Sequence, residues 1–226
     1  MAKKKKLIDK NDGIVARYIN RKISIPISYF IVKHKIPITP NFMTLLSFLL
    51  GILSGILFGF GQVIGGGVLI QISSILDGCD GEIAKLRKST TKLGHILDRV
   101  SDAAKKIPVI FGICFYEYLQ IRSLLVLLFS YFFISYYLLR YLSYQLLIVY
   151  NKSLYNKCIK IQKKSKGFQK FFSFIRNLGI HRGDTLIFLV MIASFFNWQF
   201  KILLFENIYL VFYDAFFLFN LLLTKK

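Results

Sequence analysis

Apolar residues fall into long runs separated by short polar or glycine-containing stretches, and the spacing predicts a chain of membrane helices. A run of about 20 apolar residues spans the hydrocarbon core as a helix. The first expected span opens at Thr39-Pro40-Asn41, where proline suits the first helical turn, and runs to Phe60. A glycine-rich turn, Gly61 to Gly67, precedes the second, which extends from about Val68 into a polar segment. Arg87 to Lys92 connects to a third helix, about Leu93 to Leu119, and Arg122 opens a fourth reaching towards Tyr150. After a basic amphipathic stretch, Lys152 to Arg176, the fifth helix follows His181-Arg182-Gly183-Asp184, and the sixth ends at Thr224. Ahead of all six, Ile14, Val15, Tyr18, Ile19, Ile23, Ile27, Phe30 and Ile31 recur at helical spacing among Arg17, Arg21, Lys22 and Lys33. That pattern predicts an amphipathic helix lying in the membrane interface and bent at Pro26. The fold class is therefore an all-α integral membrane protein with six transmembrane helices and an N-terminal amphipathic interfacial helix. Its expected organisation is a basic tail over 1–11, the interfacial helix over 12–37 and the six-helix domain over 38–226.

Composition agrees with the pattern: 55% of residues are hydrophobic, and the mean hydropathy is +0.53. The formal net charge of +20 would fit a nucleic-acid binder, but the lysines and arginines cluster between apolar runs and match no nucleic-acid-binding motif. They fall on one side of a six-span topology, with only Arg122 and Lys201 on the other. The positive-inside rule then places both termini and the second-to-third connection in the cytoplasm of a cell-membrane protein, with the basic segments near lipid headgroups. Cys79, Cys114 and Cys158 have no paired spacing and are expected as free thiols. Gly51, Gly55 and Gly59 form a ridge suited to close helix packing.

The chemistry concentrates between Asp77 and Asp102. On a helix, Asp77, Asp80, Gly81 and Ala84 share one face, and Gly94, Asp98 and Asp102 share a face of the next. Two carboxylates about 4 Å apart repel by roughly 4 kcal/mol at an effective dielectric near 20. A divalent cation reverses the sign, and all-oxygen ligands suit Mg²⁺ or Mn²⁺ better than zinc. Gly81 and Gly94 leave backbone open beside the acids, as a diphosphate site requires. Two plainer readings compete: turn chemistry at the Asp-Gly pairs, and pairing of one or two aspartates with Lys88, Lys92, Lys105 or Lys106.

At these residues the chain resembles the CDP-alcohol phosphotransferases. Asp77, Asp80, Gly81, Ala84, Gly94, Asp98 and Asp102 match seven of the eight defined positions of that family's signature, with Lys85 at the position of its arginine. Lysine keeps the charge and loses the bidentate fork, and Arg87, turned about 200° away on the helix, does not replace it. The Asp-Gly-Cys-Asp-Gly-Glu-Ile-Ala wording is most similar to the membrane domain of di-myo-inositol phosphate phosphate synthases.

The resemblance implies a homodimer that binds a CDP-alcohol donor against two divalent cations, Mg²⁺ or Mn²⁺, while the hydroxyl of an acceptor attacks the β-phosphorus and CMP leaves. Asp77, Asp80 and Asp98 are expected to hold the metals. Asp102 is expected as the general base and as a further ligand. Gly81, Ala84, Lys85 and Gly94 are expected around the nucleotide and diphosphate. Arg182 is a candidate phosphate contact or a topological anchor, and Asn41 and Thr44 are candidate nucleotide contacts or helix caps. The donor is expected to be CDP-inositol, with inositol phosphate as acceptor and a separate protein supplying the CDP-inositol. Alternatives are a phospholipid synthase using CDP-diacylglycerol or CDP-archaeol, and a membrane cation-binding or transport protein.

Overall fold

The computed structural model describes residue 7 and residues 12–150 and 183–223, and these are helical with no strand among them. A π-helical turn, Ala16–Asn20, leads into α1, Arg21–Lys33, with Pro26 inside it. Lys35 takes a left-handed conformation and turns the chain into α2, Pro40–Gly59. Thr39 caps α2 by accepting a hydrogen bond from the Phe42 N–H, and Pro40 occupies the first turn as expected.

The link to the next helix is shorter than the sequence predicts. Gly61, at φ +78°, makes the turn, and α3 already begins at Val63 and runs to Arg87. Gly65 to Gly67 lie inside the helix because partners press on it. A Cβ on Gly66 would meet the Phe58 ring at 2.9 Å, and one on Gly67 would meet Ser194 at 2.7 Å. The glycine ridge of α2 behaves as expected of a packing surface.

Lys88, also left-handed, ends α3, and Thr91 opens α4, Lys92–Ala104, accepting from the Gly94 N–H at 3.0 Å. The third predicted helix is in fact two. α5, Lys106–Ile121, follows α4 after a break at Lys105. Pro108 explains it: proline has no N–H to offer the Ala104 carbonyl four residues back. Arg122, left-handed, separates α5 from α6, Leu124–Tyr150; α7 is Gly183–Ser194 and α8 is Gln199–Leu223.

α3 lies at the centre, packed against α1, α2 and α7, while α2 also covers α4 and α5. Phe58, Ile70, Val109, Ile113, Phe133, Val190 and Leu203 build the main core. Ile31, Met43, Cys79 and Ile83 build a second one where α1 meets α3. Cys79 and Cys114 are buried free thiols; Cys158 lies outside the described residues. Among the described residues, three helices are long and apolar enough to cross a membrane: Pro40–Gly59, Val63–Arg87 and Leu124–Leu142 within α6. α5 and α7, at 16 and 12 residues, are shorter than the roughly 20 a full crossing takes.

Candidate active site

The last turns of α3 and the body of α4 face each other, and this brings the two halves of the motif together. One carboxylate oxygen each from Asp77, Asp98 and Asp102 lies within 4.8 Å of the others. Asp80 stands outside that trio. It is buried, accepts a 2.5 Å hydrogen bond from the Thr44 hydroxyl and also accepts from the Gly81 N–H. Asp77 accepts from the Ser47 hydroxyl at 3.0 Å.

Lys105 enters between the halves. Its ammonium lies 2.7 Å from Asp77 Oδ1 and 2.8 Å from Asp102 Oδ1, and the residue is fully buried. The lysine-pairing reading therefore accounts for two of the four aspartates, and leaves Asp80 and Asp98.

Beside the trio opens a cavity of about 390 Å³, walled by Asp80, Gly81, Ala84 and Lys85 from α3 and by Gly94 and Asp98 from α4. Asn41 and Thr44 of α2 complete that wall, so Thr44 does more than close a helical turn. A Cβ on Gly81 would meet nothing within 4 Å, leaving the α3 backbone open to the cavity there. Arg87 also reaches this rim, but its guanidinium donates to the carbonyls of Ile38 and Ile36 at 2.5 and 2.6 Å. It ties the α1–α2 loop to the end of α3. Arg182 lies outside the described residues. Its neighbour Asp184, on α7, accepts from the Ser74 hydroxyl at 3.2 Å, one turn before Asp77 on α3.

The opposite face of α3 is clamped by a residue that spacing alone did not single out. Glu82 is buried, and its Oε1 accepts from Arg21 at 2.7 Å and from Ser24 at 2.6 Å, while Oε2 accepts from Ser28 at 2.7 Å. Burial works against the Arg21 charge. The hydrogen bonds and charges of Glu82 and Asp12 outweigh it and raise the guanidinium pKa above its ordinary value. The polar positions of α1 thus form a contact surface for the motif helix, and Ile23, Tyr29 and Phe30 remain exposed for an apolar environment. Away from the motif, Asp214 of α8 accepts from the Tyr136 hydroxyl at 2.5 Å and lies 3.5 Å from Arg140.

The sequence signals for the supporting residues are faint. Ser47 stands one turn from Thr44 in an otherwise apolar helix, and Lys105 stands three residues past Asp102. Every donor in the carboxylate trio is oxygen, which fits a hard divalent cation. Convergent carboxylates, backbone left open at Gly81 and a cavity at a helix junction could receive a cation and a phosphate together. Residues 37–213 match the family model described as CDP-alcohol phosphatidyltransferase, and the chain belongs to that family.

Several relatives match part of the chain. A stretch of 91 residues, 40% of this chain, is 46% identical to the bifunctional IPC transferase and DIPP synthase of Aquifex aeolicus, and spans 20% of that protein. The protein of the same name from Archaeoglobus fulgidus is 48% identical over 91 residues, 40% of this chain and 18% of its own length. The archaetidylinositol phosphate synthase of Pyrococcus horikoshii is 32% identical over 76 residues, 34% of this chain and 40% of its own. A crystal structure of Mycobacterium tuberculosis phosphatidylinositol phosphate synthase with CDP-DAG bound aligns with a TM-score of 0.43 at 16% identity, covering 80% of this chain and 94% of that one.

Proposed function

We propose that this chain transfers a substituted phosphoryl group from a CDP-alcohol to an acceptor hydroxyl, releasing CMP. The observation that carries the reading is the convergence of Asp77, Asp98 and Asp102 from two helices beside a cavity lined by Gly81, Ala84, Lys85 and Gly94. Asp77, Asp80, Asp98 and Asp102 are the residues that would hold two divalent cations. Bound there, such cations offset charge on the attacking and leaving oxygens of the phosphoryl group.

The chain's own residues divide the remaining work. Asp102, its side chain 49% exposed, takes the proton of the acceptor hydroxyl as that oxygen bonds to the β-phosphorus. The bond from the β-phosphorus to the bridging oxygen breaks, and CMP departs with the electron pair. Lys85 offsets phosphate charge at the cavity wall, and the bare backbone at Gly81 admits the diphosphate. Arg182 is the further phosphate contact in this reading.

The six-helix domain over 38–226 carries this chemistry, with 12–37 in the interface and 1–11 as a cationic tail near lipid headgroups. The lysine and arginine distribution puts the site on the cytoplasmic side, where CDP-linked substrates are made, and the working unit is a homodimer. CDP-inositol and inositol phosphate are the favoured substrates, because relatives named as DIPP synthases are 46% and 48% identical to this chain over 91 residues. A CDP-lipid donor is the second reading, favoured by the similarity to an archaetidylinositol phosphate synthase. Family membership favours transfer over ion passage.

The test is Mg²⁺- or Mn²⁺-dependent CMP release by the purified chain, comparing CDP-inositol plus inositol phosphate with CDP-lipid plus polar alcohols. Release from CDP-inositol is expected, with Asp102→Asn slower by at least about 100-fold. Release from CDP-lipid alone selects the second reading. No metal-dependent CMP from any donor, with folded protein, overturns both.

A further inference from the structure

Lys105 is a charged residue among the carboxylates whose chemistry the transfer reaction does not ask for. Its stem packs against Gly51, where an added Cβ would lie 2.7 Å from the Lys105 Cβ, so the absent side chain on α2 makes the room it occupies. Lysine is rarely fully buried, because removing an ammonium from water is costly unless it is paired. Here it is fully buried with a carboxylate from each half of the motif as partner. It also sits at the break between α4 and α5, where the direction of its side chain is fixed by both helices.

We propose that Lys105 is a positioning residue, a built-in cation that joins Asp77 to Asp102 and weakens the carboxylates' hold on a divalent ion until an anionic diphosphate adds its own charge. The proposal rests on the metal-site reading above. Its logic is electrostatic. A fixed positive charge within hydrogen-bond reach of two ligands repels a second cation and keeps the two ligands from repelling each other apart. A site so balanced takes the metal and the nucleotide together. The metal-free carboxylates stay assembled, and the metal by itself is held loosely.

The experiment uses the full chain in lipid nanodiscs, Mn²⁺ as the ion and CDP as the diphosphate, with free Mn²⁺ read by electron paramagnetic resonance and thermal unfolding followed in EDTA. Lys105→Met and Lys105→Gln remove the charge, and the glutamine keeps a polar end should the methionine variant fold poorly. Both variants are expected to bind Mn²⁺ without CDP at least about tenfold more tightly than the parent. The tightening of Mn²⁺ binding by CDP is expected to shrink by a similar factor. In EDTA their Tm falls, and Mn²⁺ restores it. Unchanged Mn²⁺ affinity in both, or a fall in Tm that Mn²⁺ does not restore, overturns the role and leaves Lys105 a packing residue. Absence of Mn²⁺ binding by parent and variants alike, with or without CDP, overturns the metal site itself.

Discussion

The two halves of the motif are held very differently. On α3, Asp77 and Asp80 are braced by Ser47 and Thr44 of α2, and the helix behind them is clamped by Glu82 to Arg21, Ser24 and Ser28. Arg87 then fastens its end to the α1–α2 loop. α4 has far less: among the described residues Asp98 makes no hydrogen bond or ion pair, and Leu93, Ile96, Leu97 and Val100 stand exposed along the helix. One half is braced from several sides, and the other is tied to it chiefly through Lys105. In the proposed reaction, any adjustment to a metal–diphosphate complex would fall to α4 rather than α3.

The contrast breaks most sharply at the clamp. Glu82→Ala leaves Arg21 without its buried partner, and losing one member of such a pair costs about 3 kcal/mol. Thermal unfolding should show that loss, and Mn²⁺ affinity should fall with it as α3 relaxes; an unchanged Tm would mean that α3 needs no clamp. Gly81→Ala should separate shape from stability. Its new Cβ meets no atom of the protein and alanine favours a helix, so Tm should hold or rise. CMP release should drop about tenfold or more, equivalent to roughly 1.4 kcal/mol of barrier. A variant as active as its parent would place the diphosphate elsewhere. Thr91→Ala removes the cap of α4 and should cost about 1 kcal/mol. The effect should be local: faster amide exchange in α4 with α3 unchanged, reversed by Mn²⁺ plus CDP. Faster exchange in both helices would argue that the halves are one unit.

Much of this was legible in the sequence, for identifiable reasons. Local signals placed α2: threonine and proline at its start act within one turn. The motif spacing put Asp77, Asp98 and Asp102 together because helical periodicity carries through a short link. What spacing could not supply was the other side of each contact. Gly65 to Gly67 read as a turn because only the packed neighbours Phe58 and Ser194 reveal why a helix would tolerate them. The third helix read as unbroken because its apolar pattern continues past Pro108. Asp80 read as an equal partner of the other acids, and its bond to Thr44 depends on how α2 crosses α3. Arg21 read as part of the polar face of an interfacial helix, yet with Ser24 and Ser28 it turns inward to Glu82.

The crossing of α2 and α5 has a consequence for how such a protein can change over generations. A Cβ on Gly112 would fall 2.0 Å from the Gly55 carbonyl oxygen, and one on Gly55 would fall 2.4 Å from the backbone of Pro108. Neither position can gain even a methyl group without spreading the two helices. Spreading them would draw Lys105, which rests on Gly51 one turn away, off its carboxylates. Drift at these buried glycines is therefore coupled to the chemistry they never touch, and a lineage that enlarges one of them must rebuild its cation balance in the same step.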